Sequence, residues 1–185
     1  REDLVWTGSR GAQGGLMLFH SAASGPQAPR ALDLITPLGA THLRCAAGRR
    51  ADALFSLVQR PNPGPYQRQT LVHGYDASRV PSGASMTPGW THDVGFNTNG
   101  PARMVVDREG ERVLVAVWNN ITSRIQLDWL DGTSGALLVR RTFPALTLDA
   151  LAVSADGTRA AVSTGLILLI LDAAGDVLHA EPLNS

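Results

Sequence analysis

Five histidines, one of them next to an aspartate, are the residues of this sequence best suited to chemistry. None of the histidines lies two or four positions from another, so no local zinc-binding pair is present among His20, His42, His73, His92 and His179. His92 precedes Asp93 and is the only histidine next to a carboxylate in the sequence. An acid in this position could orient a base for proton transfer, but a solvated loop pair explains the same residues. We predict no catalytic residue, no metal site and no bound cofactor.

Motifs for covalent or phosphate chemistry are also missing from the sequence. No serine lies in a Gly-x-Ser-x-Gly turn, and no glycine-rich stretch leads into a predicted helix that could bind phosphate. Cys45 is the single cysteine, which excludes an internal disulfide. The residue types therefore favour a non-enzymatic role.

Charge and hydropathy exclude two further classes of protein. The 185 residues include 16 basic and 16 acidic side chains, so the basic surface that a nucleic-acid backbone requires is not expected. The longest apolar run, residues 166–171, is far shorter than the roughly 20 residues of a membrane helix. The first 70 residues hold 8 arginines and 4 acids, and the rest hold 8 arginines and 12 acids. The two halves, or two copies of the chain, could attract each other, although ordinary scatter of surface charge gives the same counts.

The stretch from Leu151 to Leu183 reads as four short strands joined by three tight turns. Asp156-Gly157 suits a two-residue hairpin turn, and strand-like segments flank it on both sides. A second turn is predicted at residues 174–176, after a continuous apolar run. A meander of this size cannot bury both of its faces alone, so it requires neighbouring sheets on both sides.

Similar strands are predicted through the rest of the chain. They lie at 4–7, 16–19 and 31–35 in a first segment, at 42–45, 53–58 and 69–72 in a second, and at 104–106, 112–117, 125–129 and 137–140 in a third. The segment from Tyr75 to Pro101 contains glycine and proline without sustained periodicity, and we interpret it as a long loop or lid. No stretch has the 3.6-residue apolar period of a capped helix.

The third segment and the last one form a repeat. Arg112 aligns with Arg159 at a spacing of 47 positions, and Gly135 aligns with Gly175 at a spacing of 40. Units of this length with four short strands are typical of propeller blades. The predicted fold is therefore all-β, a single β-propeller domain of about four blades, each a four-stranded antiparallel meander. The blades are expected at about 1–36, 40–74, 102–146 and 150–183, with residues 75–101 as the long loop.

The first segment has three predicted strands where the last two segments have four each. We interpret the missing strand as the innermost strand of that blade. It could precede Arg1, the chain could be part of a larger ring, or another chain could supply the strand. If the four blades close by themselves, the first and last strands should pair in one blade.

The last two blades resemble a known family. Residues 151–159, Leu-Ala-Val-Ser-Ala-Asp-Gly-Thr-Arg, and the turn at residues 130–137 look like blades of YVTN-type and quinoprotein-amine-dehydrogenase-like β-propellers, in which such turns read roughly Ser-Pro-Asp-Gly and Asp-x-x-Thr-Gly. Ala155 stands where proline is commoner, and the Gly-His and Trp-Asp marks of WD repeats are missing. The resemblance covers only the last two blades, and it implies a fold more than a function.

Alternate connections of an up-and-down blade point to the same face. This places the connections at 8–15, 59–67 and 118–124 and the 75–101 segment on one face, and the turns at 48–49, 108–110 and 155–157 on the other. Loops held by a rigid scaffold are the usual sites of binding. We predict that the long-looped face binds a protein partner through Arg10, Arg60, Tyr66, Trp90, His92, Asp93, Asn119, Asn120 and Arg124. The alternative is that the aromatic members cover the core and the polar members hold loop backbone.

Two functional hypotheses follow from the sequence. The first is a non-enzymatic protein-interaction or scaffolding module, whose partner is another protein or further propeller blades from another chain. The second is a propeller enzyme or redox subunit resembling the amine dehydrogenase group, with its active centre on the same face or in another chain. Bound quinone, haem or stoichiometric metal would favour the second hypothesis.

Overall fold

Short apolar segments separated by turn residues give the chain its strands. A computed structural model describes residues 4–8, 16–20, 30–34, 41–48, 53–61, 68–76, 85–97 and 100–183, which contain sixteen strands and no helix. The strands are β1 (Leu4–Gly8), β2 (Leu16–His20), β3 (Arg30–Leu34), β4 (Thr41–Ala47), β5 (Ala53–Pro61), β6 (Arg68–Asp76), β7 (Ser85–Met86), β8 (Trp90–Asn97), β9 (Ala102–Val106), β10 (Arg112–Asn119), β11 (Arg124–Asp131), β12 (Leu137–Pro144), β13 (Ala150–Val153), β14 (Arg159–Ser163), β15 (Ile167–Asp172) and β16 (Val177–Pro182).

The strands form four sheets of four strands each. In chain order the sheets are β1-β2-β3-β7, β4-β5-β6-β8, β9-β10-β11-β12 and β13-β14-β15-β16, and we call them the first to the fourth sheet. All pairings in the last three sheets are antiparallel, whereas β7 pairs parallel with β3 in the first. β1 and β16 belong to different sheets, so the first and last strands do not share a blade.

The second, third and fourth sheets pack face against face around a common side. β4, β9 and β13, which open three successive sheets, lie beside one another. One core cluster lies between the second and third sheets and includes Phe55, Val72 and Val115. Another lies between the third and fourth sheets and includes Leu114 and Trp129. The third sheet is therefore buried on both faces, and the predicted β-propeller architecture is confirmed.

The turns of the third and fourth sheets match as the repeat predicts. Gly110 and Gly157 both have positive φ, of 81° and 68°, in the turns that follow β9 and β13. Gly135 and Gly175 have φ values of 71° and 77° in the turns before β12 and β16. Residues with a Cβ rarely adopt positive φ. The same backbone conformation therefore explains why glycine occupies the aligned positions of both sheets.

The segment from Tyr75 to Pro101 is where the structure differs from the sequence interpretation. The sequence predicts a loop there, but the segment contains β7 and β8, and β8 completes the second sheet by pairing with β6. The predicted bounds of the second blade, 40–74, therefore omit its outer strand. Among residues 90–95 of β8 only Val94 is fully buried. Trp90 and Val94 alternate with the exposed Thr91 and Asp93, but the polar His92 lies between them and interrupts the apolar period. A register shift at Thr70/Leu71 interrupts the pairing further.

The two ends of the sheets carry different connections. The tight-turn end carries the turns at 107–111, 132–136, 154–158 and 173–176. The crossover end carries the β10–β11 turn at 120–123, the passage between sheets at 145–149, and the β14–β15 turn at 164–166. The outer strand β8 runs from the tight-turn end to the crossover end, so its first and last residues lie at opposite ends of the blade.

Candidate functional site

The predicted binding residues separate into two groups in the structure. Asn119, Asn120 and Arg124 lie around the β10–β11 turn at the crossover end, and Arg60 lies at the same end of β5. Trp90 begins β8 at the tight-turn end, so the expectation that it shares a face with Asn119 and Asn120 is wrong. The cause is β8 itself, because a strand crosses the blade whereas a loop would have stayed on one face. His92 and Asp93 lie within β8, between the two ends. Arg10 and Tyr66 lie outside the described residues.

Trp90 packs between the second and third sheets. Its Nε1 donates a hydrogen bond to the Gly132 carbonyl oxygen at 3.2 Å, and its ring lies 5.9 Å from that of Phe55. A Cβ at Gly74 would lie 2.1 Å from Trp90 Cε2, and one at Gly135 would lie 2.4 Å from its Cε3. The indole therefore occupies a slot that exists only because both neighbours are glycines. This is the covering role that the sequence left open for the aromatic residues.

His92 and Asp93 do not orient each other. His92 Nε2 lies 3.2 Å from Asp128 Oδ2 on β11, in the neighbouring sheet. Asp93 accepts hydrogen bonds from the Gly95 backbone N–H at 2.8 Å and from the Gln69 side chain. Gln69 in turn accepts a hydrogen bond from Arg60 Nε. The expected base and acid therefore belong to two different polar networks.

Asp128 is the centre of the first of these networks. Its side chain is 0% exposed and receives two hydrogen bonds from Arg140, from Nε at 2.7 Å and from Nη2 at 2.6 Å. Burial by itself would raise the pKa of Asp128, but the hydrogen bonds from His92 and Arg140 and their charges outweigh burial and lower it. Gln126 donates to the Val94 carbonyl oxygen at 2.7 Å and so ties β11 to β8. The network joins the second sheet to the third.

Sequence reasoning missed the pair of Asp128 and Arg140. The two residues are direct cross-strand neighbours of β11 and β12. Opposite charges at facing positions are a recognised stabilising pair in sheets. A register shift at Trp129/Leu130 produces this pairing, because a regular hairpin continued from Leu130 and Leu137 would place Asp128 opposite Val139, so the sequence alone did not reveal the pair.

Exposed aliphatic side chains mark the crossover end of the third and fourth sheets. Ile121 is 73% exposed, Leu146 61%, Leu166 52% and Leu183 37%. Each lies at this end of the sheets: Ile121 in the 120–123 turn, Leu146 in the 145–149 passage, Leu166 in the 164–166 turn and Leu183 directly after β16. We call these four residues the aliphatic rim. Residue types alone did not point to it, because single apolar residues in loops carry no pattern.

Backbone contacts hold the segments of the aliphatic rim together. Ala145 N–H donates to the Ser123 carbonyl oxygen at 3.0 Å, and Leu183 N–H donates to the Leu166 carbonyl oxygen at 2.7 Å. Gly165 abuts the 145–149 passage, because a Cβ there would lie 2.9 Å from Thr147 Oγ1. The chain segments that carry the four residues of the aliphatic rim are therefore held against one another.

Two residues of the β10 end shape the rim. Asn119 Oδ1 accepts the backbone N–H groups of Ile121 at 3.0 Å and Thr122 at 3.1 Å, which fixes the turn that exposes Ile121. Trp118 Nε1 donates to the Ala145 carbonyl oxygen at 3.1 Å and links the third sheet to the 145–149 passage. Asn119 thus holds loop backbone, as the alternative interpretation of the polar residues expected.

The tight-turn end is built from aspartate-capped turns. Asp131 Oδ1 accepts the backbone N–H of Ser134 at 2.8 Å, and Asp107 Oδ1 accepts that of Gly110 at 2.7 Å. Hydrogen bonds from Ser154 and Thr158 lower the pKa of Asp156 to about 2. A cleft of about 310 Å³ opens at this end beside Gly74, Asp76, Trp90 and Gly132. The capping carboxylates are occupied within their own turns, which agrees with the prediction that this end carries tight turns.

Metal-binding clusters and membrane-spanning helices are both missing from the part of the chain that the structure describes. No group of three or more His, Cys, Asp or Glu side chains among the described residues could hold a metal ion. Within the same residues there is no helix that is both long and apolar enough to cross a membrane.

Comparison with known proteins identifies the fold and no family. No family model and no curated protein matches the chain. The Dos1 propeller structure aligns with a TM-score of 0.61 at 11% identity, over 99% of this chain and 46% of that one. The propeller domain of Cps50 (Swd1) from Myceliophteria thermophila gives 0.46 at 12% identity, over 100% and 59%. The periplasmic gluconolactonase PpgL of Pseudomonas aeruginosa gives 0.45 at 15% identity, over 100% and 68%. The chain spans less than half the length of the Dos1 propeller.

Proposed function

We propose that the chain is a non-enzymatic protein-interaction module that binds a protein partner at the crossover end of its propeller sheets. The aliphatic rim is the observation that carries this proposal. Four large aliphatic side chains lie exposed on one contiguous set of connections, at 37% to 73% of their full exposure. Exposed apolar side chains that neighbouring connections present at one end of a protein, with polar surroundings, are typical of protein-binding surfaces.

The energetics favour a protein as the occupant of the rim. Fully burying a Leu or Ile side chain contributes about 1.5–3 kcal/mol, so a partner that covers the rim gains a large part of a useful binding energy. Arg124 and Asn120 are exposed beside Ile121 and supply the polar margin expected of such a surface.

Preorganisation adds to this argument. The rim connections are tied to one another and to rigid sheets by backbone hydrogen bonds, among them Ala145 to Ser123 and Leu183 to Leu166. Asn119 fixes the turn that carries Ile121. A partner therefore need not order these loops when it binds, which lowers the entropic cost of association. The predicted residues Arg60, Asn119, Asn120 and Arg124 lie at this same end, and their role in binding stays a prediction.

A matched pair of variants tests the proposal. Ile121→Ser with Leu146→Ser removes two rim side chains, whereas Val177→Ser with Leu178→Ser removes two side chains of similar exposure from the outer strand β16. Proteins captured from the native cells by each variant would be compared after chemical cross-linking and mass spectrometry. The protein of interest is one whose cross-links map beside residues 120–124 and 145–149. We expect the rim variant to capture at least tenfold less of it than the natural sequence, and the β16 variant to capture the same amount.

A partner whose capture is equal for both variants would contradict the proposal. So would cross-links confined to the tight-turn end. Thermal unfolding of both variants provides the control for folding, because exposed side chains contribute little to the core and neither substitution should alter the transition by more than a few degrees.

A further inference from the structure

Two exposed arginines lie at the crossover end of the second and third sheets. Arg68 begins β6, and Arg124 begins β11. Both side chains are exposed, and neither forms an ion pair with another residue in the part of the chain that the structure describes. A guanidinium group presents a planar set of hydrogen-bond donors that fits a carboxylate. The two side chains are therefore available to an anionic group of a partner.

Both arginines face the gap between the second and third sheets. Arg68 lies four positions before Val72 on β6, so the two side chains share a face, and Val72 belongs to the core between these sheets. Arg124 shares a face of β11 with Gln126. Gln126 Nε2 donates to the Val94 carbonyl oxygen of the second sheet at 2.7 Å. The two arginines therefore lie on opposite sides of one gap, at the same end.

Acidic residues that could balance these arginines are scarce at this end. The connections that join β5 to β6, β8 to β9 and β10 to β11 are residues 62–67, 98–101 and 120–123, and they contain no Asp or Glu. Asp93 of β8 and Asp128 of β11 accept hydrogen bonds within the two polar networks described above. The end of the gap therefore carries positive charge that the described residues do not balance.

The tight-turn end of the third and fourth sheets has the opposite charge. Its turns, with the strand residues that flank them, hold seven acidic residues and three arginines. These segments are residues 107–112, 131–136, 154–159 and 172–176. The connections of the same two sheets at the crossover end contain a single acid, Asp149. An acidic partner is therefore repelled by one end of the sheets and attracted by the other, which orients it before contact.

We infer that the crossover end binds an acidic segment of a protein partner, whose carboxylates contact Arg68 and Arg124 and whose aliphatic side chains contact the aliphatic rim. The inference rests on the proposed function and names the chemistry of its partner. Arg124 joins the two parts of the surface, because it pairs with Asn119 and with Pro144 at the strand ends that lead into the rim.

A protein segment fits this end better than a nucleic acid, although both carry negative charge. Single-stranded nucleic acids combine phosphate contacts in a positive groove with bases stacked on aromatic rings. The aliphatic rim consists of Ile121 and three leucines and supplies no aromatic ring. Carboxylates beside aliphatic side chains match both parts of the surface.

Random peptides displayed on phage provide a defined probe for this chemistry. We expect selection on the purified chain to enrich peptides in which Asp or Glu accompanies Leu, Ile or Val. The selected peptides would be synthesised, and their association and dissociation rates measured at low and at high ionic strength. The association rate should fall as salt is added, because salt screens the attraction between the peptide and the arginines.

Two charge-matched double variants locate the attraction. Arg68→Gln with Arg124→Gln should slow association about tenfold and remove most of its salt dependence. Arg108→Gln with Arg159→Gln removes the same charge from two exposed positions of the tight-turn end and should associate like the natural sequence. Both variants should keep the thermal transition of the natural sequence, since exposed side chains contribute little to stability.

The inference and the proposed function fail in different ways. Selected peptides that are neutral or basic, or that associate equally with the two arginine variants, would overturn the inference and leave the aliphatic rim intact as a binding surface. Peptides that bind Ile121→Ser with Leu146→Ser as tightly as the natural sequence would contradict the proposed function, and with it the inference. A thymine oligonucleotide that binds the natural sequence more tightly than the selected peptides would overturn the choice of a protein segment.

Discussion

Gly74→Ala tests how tightly Trp90 joins the second and third sheets. The added Cβ would lie 2.1 Å from Trp90 Cε2 and 2.3 Å from its Nε1, well inside van der Waals contact. The ring cannot retreat towards Gly135, because a Cβ at that glycine would likewise lie only 2.4 Å from Cε3, so no free space exists on that side. Overpacking of this kind costs about 1–3 kcal/mol, and loss of the Trp90 hydrogen bond to Gly132 adds about 1 kcal/mol.

The gain in backbone rigidity offsets part of this cost. Replacing glycine by alanine restricts the unfolded chain and contributes about 0.4–1 kcal/mol to stability where the backbone permits alanine. We therefore expect Gly74→Ala to lower the free energy of unfolding by about 2 kcal/mol, measured by urea denaturation. Gly89→Ala is the control, because its Cβ would meet only the Gly74 carbonyl oxygen at 3.7 Å, and it should stay within about 0.5 kcal/mol of the natural sequence.

A double-mutant cycle isolates the clash. Trp90→Ala alone should cost about 2–4 kcal/mol, less than a fully buried tryptophan because the residue is only half-buried. Without the Trp90 indole, a Cβ at position 74 has no steric clash. The double variant should therefore lose about 2 kcal/mol less free energy of unfolding than the sum of the two single losses. Additive effects of Gly74→Ala and Trp90→Ala would refute the wedged position of the indole.

Three further predictions concern a turn, an ion pair and the enzyme alternative. Gly157→Val should lower the free energy of unfolding by about 2 kcal/mol or more, because φ is 68° and a Cβ would lie 2.7 Å from Arg112 Cγ; a neutral effect in urea denaturation would contradict the turn. Asp128→Asn should cost about 2 kcal/mol at pH 7. Because the pKa of Asp128 is lowered in the folded state, its contribution is complete above the unfolded pKa of about 3.9 and is lost as the pH falls through the lower folded value. The two proteins should therefore begin to converge in stability only as the pH falls below about 4, and a difference that stays constant in stronger acid would contradict this. The purified chain should show no quinone or haem absorbance and no stoichiometric metal by elemental analysis; finding any of them would favour an enzyme or redox subunit.

The strands of the last two sheets could be read from the sequence because their signals are local. Asp156-Gly157 and the apolar segments beside it define a hairpin without reference to the rest of the chain. Arg112 and Arg159 occupy equivalent positions in the aligned third and fourth segments. That repeat predicted that the two sheets stack. The resemblance to YVTN-type and quinoprotein-amine-dehydrogenase-like propellers stays a prediction, since it is carried by turn residues alone.

β8 could not be read because its stabilisation is not local. His92 interrupts the apolar positions Trp90 and Val94, and it contacts Asp128 of the next sheet. Asp93 accepts a hydrogen bond from Gln69 of β6. Because the sequence interpretation omitted this strand, it placed Trp90 on the same face as Asn119, whereas Trp90 lies at the tight-turn end. Orientation errors of this kind follow whenever one crossing of a meander is overlooked.

The aliphatic rim was beyond sequence reasoning for a different reason. Ile121 and Leu166 lie 45 positions apart, and each looks ordinary in its own turn. They come to the same end of neighbouring sheets only once both strand order and strand direction are known. By contrast, the alternation of connections in a meander placed Arg60, Asn119 and Arg124 on one face, and these three residues do lie at the crossover end.

Hydrogen exchange of the chain with and without its captured partner tests the central claim most directly. The claim is that the crossover end binds a protein through the aliphatic rim. Binding should slow amide exchange in residues 120–123, 145–149 and 164–166, and leave the turns at 107–111 and 154–158 unchanged. Slower exchange confined to the tight-turn end, with the rim connections unaffected, would contradict the claim.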